Sequence, residues 1–427
     1  MDYRIIPPQE LPEAEIRLPL SKSMSNRAMI INYLCGQPDA LLHSADCDDA
    51  NVLASALADP TAAETDIDGA GTAMRFLTAL YAVSPDREVV LTGNERMQHR
   101  PIGPLVEALR ALGARIDYLG QDGYPPLKIS GRKLCGGTID IDASMSSQFV
   151  SALLMVAPTF SGGLTVNLMA ESGSMPYIDL TLSMMRKAGI EAERSNLTIT
   201  VAEGTYRNPI PVIEPDWSAA AFWYEIEAVS SGFITLLGLT PGSAQGDASL
   251  PEIFSDLCVT TEFTPDYNNE GPAAELTASP DISPRFVRDL SQNPDLAPAI
   301  AVTCALIGIP FRLSGLATLR LKECDRLGSL QTELKRIGVP AEIIGDDTLE
   351  WLGNRLPIAG LPEFRTYGDH RMAMALAPVA IYIPGIKICD AEVVTKSYPR
   401  FWDDLQSAGF TLVDGNISYE ELFSEEQ

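Results

Sequence analysis

LVEALRALGARIDYL, residues 105–119, is the stretch from which the fold can be read. Leu105, Val106, Leu109 and Leu112 recur at helical spacing, and Gly113 closes the run. Glycine is the residue for which the left-handed turn at a helix end costs least. A strand-like alternation follows at once. The same unit returns as LTLSMMRKAGIEAE at 180–193, LQTELKRIGVPAEII at 330–344 and WDDLQSAGFTLV at 402–413. Its glycines, Gly113, Gly189, Gly338 and Gly409, lie 76, 149 and 71 residues apart. The middle interval is two periods of about 75 residues. A degraded copy without the glycine, IFSDLCVTTEFTP at 253–265, fills the gap. Chance spacing in a glycine-rich chain is the competing explanation, but it does not account for that copy.

A second helical set alternates with the first: SNRAMIINYLCG, GTAMRFLTALYAV, SSQFVSALLMVAP, DWSAAAFWYEIEAV, NPDLAPAIAVTCALIG and DHRMAMALAPVAIYI. These are apolar over most of their circumference and are expected to be buried, with the glycine-ended set exposed. Runs such as GTIDIDA, GLTVNLM and NLTITVA read as strands between them. The pattern is α/β, with six units of which the first is shortened. Six units divide into two sets of three. The Pro-rich segment NPIPVIEPDWSAA, 208–220, is the expected join.

The 427 residues are 46% hydrophobic and 21% charged, a globular composition, with a net charge of −26. That charge argues against nucleic acid and anionic membranes as partners. It leaves room for a small anionic ligand on a local basic cluster. The seven cysteines form no CxxC pair and there are three histidines, so no metal site is expected. The N-terminus lacks the apolar core of a signal peptide, and no apolar run reaches the roughly 18 residues of a membrane span. A reduced, cytoplasmic protein is expected.

The cations are not scattered evenly. Lys22, Arg27, Arg75, Arg100, Lys322, Arg326, Arg371 and Lys396 stand mostly at the entrances of helices. Lys22, Ser23, Ser25 and Arg27 open one helix, Gly69, Gly71 and Thr72 another, and Ser146, Ser147 and Gln148 a third. Hydroxyls, backbone N–H groups and cations at a helix start suit phosphate or carboxylate. Ordinary capping and solvated cations explain each segment equally well when taken alone, and Thr72 is a candidate cap. Lys322, Glu323, Asp325 and Arg326 also fit a salt-bridged helix start. Asp369, His370 and Arg371 stand at the mouth of a nearly all-apolar helix, where a solvated face is harder to invoke. If the eight cations converge, they can hold two anions.

The ordered motifs SKSMSNRA, GAGTAMR, RMQHRPIG, SSQFVSALLM, SMPYIDLTL, NPDLAP, LKECDRL, YGDHRMAMA and TKSYPRF span nearly the whole chain. Together they resemble the EPSP synthase family, the 3-phosphoshikimate 1-carboxyvinyltransferases. The resemblance implies two similar inside-out α/β barrel domains, each of three repeated βαβαββ units with helices packed inside. It implies boundaries at 19–211 for one domain and 1–18 plus 212–427 for the other, with the active site in the cleft between them. It also implies transfer of the enolpyruvyl group of phosphoenolpyruvate to the 5-hydroxyl of shikimate 3-phosphate through a tetrahedral intermediate, in a cytoplasmic monomer needing no cofactor or metal.

By the same resemblance, Ser23, Arg27, Ser146, Ser147, Ser174 and Lys322 are expected to contact shikimate 3-phosphate. Lys22, Gly71, Arg100, Gln148, Arg326, Arg371 and Lys396 are expected to contact phosphoenolpyruvate. Asp295, Glu323 and Lys22 are the expected catalytic residues, Asp295 taking the hydroxyl proton and Glu323 working at C3. The chain departs from the family pattern at Leu20, Met175 and Thr318 and in the short stretch 49–69. The related UDP-N-acetylglucosamine enolpyruvyltransferases carry a loop cysteine and an Asn after the early Lys. Here Ser23 follows Lys22, and no Cys lies between Cys47 and Cys135. A catalytically retired anion-binding protein is the alternative of another class.

Overall fold

The computed structural model describes residues 1–170 and 173–417. Helices Gly103–Ala111, Met175–Lys187, Arg326–Arg336 and Phe401–Ser407 each end two residues before the expected glycine. Gly113, Gly189, Gly338 and Gly409 all take positive φ, between 76° and 97°. In the degraded copy, helix Leu250–Ser255 ends on a right-handed Asp256, and the positive φ, 60° at Cys258, falls inside the following strand where the ladder shifts register.

Five four-stranded sheets occur among the described residues, and all share one pairing pattern, two parallel strands followed by two antiparallel ones. In four of them the last strand in space is the third in sequence. Glu64–Asp66, Glu88–Thr92, Leu127–Ser130 and Arg115–Tyr118 make one sheet in that order. Cys135–Ile141, Ser161–Leu168, Thr198–Val201 and Ala192–Ser195 make the next. The pattern recurs for Glu13–Arg17, Phe233–Leu237, Ala273–Ile282 and Leu257–Thr264. It recurs again for Phe286–Asp289, Phe311–Ser314, Thr348–Trp351 and Glu342–Ile344. In the fifth sheet, Glu363–Phe364, Ile386–Ile388 and Thr411–Asp414 take their missing strand from the start of the chain, Tyr3–Ile6.

The first repeat departs from the expected βαβαββ unit. It keeps two helices, α1 (Lys22–Leu34) and α2 (Asp48–Ala58), but has no sheet of its own among the described residues. Only a short 3-10 turn, Pro38–Ala40, lies between the helices, and five residues separate α2 from the first strand of the next repeat. A four-stranded sheet needs more chain than that.

The chain forms two compact units. The first is Leu20–Glu214 with Ala244–Gly246. The second, among the described residues, is Met1–Pro19, Pro215–Ser243 and the stretch from Asp247 to Ile417. The first also contains α3 (Gly71–Ala82), α4 (Glu95–Gln98), α5 (Gly103–Ala111), α6 (Ser147–Val156) and α7 (Met175–Lys187). The second contains α8 (Trp217–Ser230), α9 (Leu250–Ser255), α10 (Ala297–Ile307), α11 (Arg326–Arg336), α12 (His370–Leu376) and α13 (Phe401–Ser407).

Each unit has its own hydrophobic core, and helices form its interior. Eleven of the twelve residues of α3, ten of the eleven of α10 and all seven of α12 are buried. Strands such as Thr198–Val201 alternate exposed and buried residues, one face to the helices and one to water. Each Leu, Ile or Phe buried this way contributes about 1.5–3 kcal/mol, so the apolar helices need an enclosing layer of sheet. No helix among the described residues is long and apolar enough to cross a membrane.

Candidate active site

In the first unit, the starts of three buried helices carry the expected ligand residues. Ser21 caps α1 by accepting from the Met24 N–H at 3.4 Å, and Lys22 is the first helical residue. Its ammonium donates to Asp49 of α2 at 2.9 Å. α3 starts at Gly71 without a side-chain cap. The expected Thr72 cap does not form; the Thr72 hydroxyl instead accepts from the Gln148 amide of α6 at 3.2 Å, which ties the two helix starts together. Ser146 caps α6, accepting from the Gln148 N–H, and Ser147 is buried behind it.

The Arg100 guanidinium lies against the α carbon of Gly71. A β carbon there would stand 2.7 Å from Arg100 Nη1, so only glycine leaves the guanidinium where it is. Among the described residues Arg100 has no carboxylate partner, and its buried Nε makes no hydrogen bond. Gly71, Arg100 and Gln148 are thus brought together. Arg75 is turned to structural work, donating to the carbonyls of Gly71 and Pro101 at 3.0 Å each.

Arg27 is 2% exposed. It donates to the Thr181 and Ser151 hydroxyls and to the carbonyls of Ser23 and Tyr177, at 2.7 to 3.2 Å. Its guanidinium also lies over the rings of Phe76 and Tyr177. No carboxylate among the described residues faces it, and burial lowers its pKa to about 10. Four of its donor bonds are spent within the protein, which leaves one N–H for a ligand. Ser23 lies half-buried in the first turn of α1. Ser174 is buried at the head of α7 in a left-handed conformation, φ 82°, its carbonyl accepting from the Tyr177 N–H at 3.1 Å. Arg27 therefore joins the first turns of α1 and α7.

The second unit is arranged differently. Arg326, 1% exposed and first in α11, donates to three carboxylates. Nη1 reaches Asp295 at 2.7 Å and Nη2 reaches Glu323 at 2.7 Å, while Nε and Nη2 clasp the fully buried Asp369 at 2.6 and 3.3 Å. Lys322 stands 3.2 Å from Asp295 and Arg371 3.5 Å from it. Burial alone would raise the Asp295 pKa, but Lys322, Arg371 and Arg326 outweigh it and hold the carboxyl far below the ordinary carboxylate range. Asp369 also caps α12, accepting from the Arg371 N–H at 2.9 Å. The Lys396 ammonium donates to the Gly368 carbonyl at 2.9 Å. Asp295, Lys322, Glu323, Arg326 and Arg371 are brought into one network, with Lys396 bonded to the residue preceding Asp369.

Both readings of the 322–326 stretch hold, since the Glu323–Arg326 ion pair is also an i,i+3 pair at a helix start. Met175 is buried at the start of α7, and the Thr318 hydroxyl is buried without a hydrogen bond. Four partners of the site escaped the sequence reading. Ser151 and Thr181 are lone hydroxyls on largely apolar helices, which was a usable signal. Asp49 and the clasp of Asp369 on Arg326 had none, because each partner lies far off in sequence.

The EPSP synthase (3-phosphoshikimate 1-carboxyvinyltransferase) family matches this chain over residues 52–405. The chain belongs to that family. A 3-phosphoshikimate 1-carboxyvinyltransferase of Bacteroides fragilis (strain YCH46) is 44% identical over 417 residues, covering 97% of this chain and 100% of the relative. One of Yersinia pestis bv. Antiqua (strain Angola) is 34% identical over 424 residues, covering 93% and 96%. Among solved structures, the EPSP synthase of Acinetobacter baumannii superposes with a TM-score of 0.75 at 21% identity, covering 97% of this chain and all of that one. The enolpyruvyl transferase NikO of Streptomyces tendae gives 0.70 at 16% identity, covering 96% and 98%. At those identities the structural likeness speaks for the mixed α/β fold that the family shares.

Proposed function

We propose that this enzyme transfers the enolpyruvyl group of phosphoenolpyruvate to the 5-hydroxyl of shikimate 3-phosphate and releases phosphate, as a step of aromatic amino acid biosynthesis. Family membership supports the reaction. The observation that carries the mechanism is the Asp295 carboxylate, ionised and set among Lys322, Arg326 and Arg371 with Glu323 on the same guanidinium. Asp295 accepts the proton of the 5-hydroxyl as oxygen attacks C2 of the enol. A carboxylate of such low pKa serves as a base only for a hydroxyl held within hydrogen-bond distance. The incoming phosphate and carboxylate draw on the same three cations, which weakens their hold on Asp295 and makes it more basic at the moment of use. Glu323 delivers the proton to C3 and takes one back as the C2–phosphate bond breaks. The cations, with Lys22, stabilise charge on the departing phosphate.

In this reading the two compact units are the two enolpyruvyl-transferase domains, 19–211 and 1–18 plus 212–427, each an inside-out barrel, although the end of the second lies outside the described residues. Substrates draw on ligands of both: Ser23, Arg27, Ser146, Ser147 and Ser174 with Lys322 for shikimate 3-phosphate, and Lys22, Gly71, Arg100 and Gln148 with Arg326, Arg371 and Lys396 for phosphoenolpyruvate. The enzyme works as a cytoplasmic monomer without a cofactor. Phosphate release from purified protein with phosphoenolpyruvate and either shikimate 3-phosphate or UDP-N-acetylglucosamine tests the reading. Release with the shikimate ester alone is expected. Release with the sugar nucleotide reassigns the acceptor, and release with neither from folded protein supports a retired enzyme.

A further inference from the structure

The four residues Thr366–Tyr367–Gly368–Asp369 connect strand Glu363–Phe364 to α12 in a tight turn, closed by the Asp369 N–H donating to the Thr366 carbonyl at 2.9 Å. Both central residues have positive φ, Tyr367 at 56° and Gly368 at 68°. Glycine suits such a turn at either central position, whereas a bulky aromatic at the first is an outlier that persists only when its surroundings hold it there. One helix does the holding. Tyr367 donates its phenolic hydrogen to Glu333 of α11 at 2.6 Å, and Asp369, at the other end of the turn, is clasped by Arg326 of the same helix. Glu333 is fully buried and is itself fixed by Arg336 Nε at 2.8 Å and by the Arg365 N–H. Between the two fastenings lies the Gly368 carbonyl, which accepts from the Lys396 ammonium.

We infer that Tyr367 is a positioning residue for Lys396: its bond to Glu333 maintains the left-handed turn that aims the Gly368 carbonyl at the ammonium and so sets where that cation meets the anionic substrate. The inference rests on the proposed function, in which Lys396 contacts phosphoenolpyruvate. Nothing in the reaction calls for Tyr367 to touch substrate. Without the phenol–carboxylate bond, the turn relaxes toward ordinary negative φ, the carbonyl swings away, and Lys396 loses that carbonyl as an anchor.

Steady-state kinetics of Tyr367→Phe, which removes one oxygen, test this. The KM for phosphoenolpyruvate should rise about tenfold while that for shikimate 3-phosphate stays within about twofold. Glu333→Gln, whose amide oxygen still accepts from the phenol, should keep most of the wild-type KM, whereas Glu333→Ala should reproduce Tyr367→Phe. In a Lys396→Met background, Tyr367→Phe should change the phosphoenolpyruvate KM no further, because the cation it places is gone. An unchanged KM in Tyr367→Phe overturns the inference. So does a parallel rise in both KM values with a lowered melting temperature, or a full Tyr367→Phe effect persisting without Lys396. Should Tyr367→Phe fail to fold, Tyr367→Gly, which takes positive φ without strain, replaces it: a KM closer to wild type than that of Tyr367→Ala is expected, and equal losses in the two count against the inference. Absence of turnover in the wild type would instead sink the underlying reading and is seen before any variant is made.

Discussion

Arg27 and Arg326 are 2% and 1% exposed and both open onto predicted ligand sites, yet their charges are met in opposite ways. Arg326 meets three carboxylates, and they raise its pKa even though burial pushes the other way. Arg27 meets only hydroxyls, carbonyls and ring faces, and burial lowers its pKa. Arg100 beside Gly71 likewise has no carboxylate partner among the described residues. Arg27 and Arg100 therefore hold positive charge in reserve, although Lys22 of the same unit is paired with Asp49, whereas Lys322, Arg326 and Arg371 set the state of Asp295. An anion gains most where charge is not already paired, and proton chemistry needs carboxylates whose surroundings are fixed. On the proposed function, both units supply cations to the anionic substrates, and the carboxylates fixed in the second unit serve proton transfer.

The sharpest way to break this contrast is Asp295→Asn. Removing the ionised acceptor should lower kcat by about a thousandfold, since a positioned general base contributes roughly 10²–10⁴. Single-turnover phosphate release would check it, and a loss confined to KM would mean that Asp295 only binds. Next comes Arg27→Met. It should lower kcat/KM for shikimate 3-phosphate by about a hundredfold yet cost only about 1 kcal/mol of stability, because the acceptors that lose their donor are neutral and no charged partner is left behind. The opposite expectation holds for Asp369→Ala, which takes from buried Arg326 its fully buried partner and from α12 its cap, and should destabilise by about 3–5 kcal/mol in urea unfolding. Equal stability losses in the two variants would erase the distinction.

A smaller effect is expected from Gly71→Ala. The new methyl displaces only the mobile end of Arg100, so the KM for phosphoenolpyruvate should rise about tenfold with the melting temperature nearly unchanged. The least conspicuous prediction concerns the core of the second unit. Glu225 and Glu227 of α8 are fully buried without hydrogen-bond partners for their carboxyl oxygens, and burial raises both pKa values, that of Glu227 to about 7. A raised pKa means that the folded state binds more protons, so this contribution is complete below the unfolded value of 4.5 and is lost as pH climbs through about 7. Glu227→Gln should therefore stabilise at pH 8 by about 2–3 kcal/mol and hardly at pH 4.5. Unfolding free energies at the two pH values check it, and a pH-independent gain would refute the linkage.

Much of this was legible beforehand. Gly113, Gly189, Gly338 and Gly409 marked real helix ends, and the apolar helices are the interior ones, because backbone strain and hydrophobic pattern are local properties that a linear chain displays. The shortened stretch 49–69 hinted at a reduced first repeat, and the sheet is indeed missing. Less legible was what each polar side chain does on arrival. Thr72 looked like a cap and serves as an acceptor for Gln148. Arg27 and Arg326 looked alike as ligand cations; the sequence offered Arg326 a carboxylate in Glu323, but gave no sign of Asp295 or Asp369.

What the sequence determined by itself was the repeat, the α/β class and the gathering of cations at helix entrances, since these follow from residue spacing and from the conformational preferences of single residues. Only the tertiary structure decided which charges are paired. Coulomb energy depends on distance and local dielectric, and both are set by side chains brought together from far apart, as Asp49 meets Lys22, Asp369 meets Arg326 and Glu333 meets Tyr367.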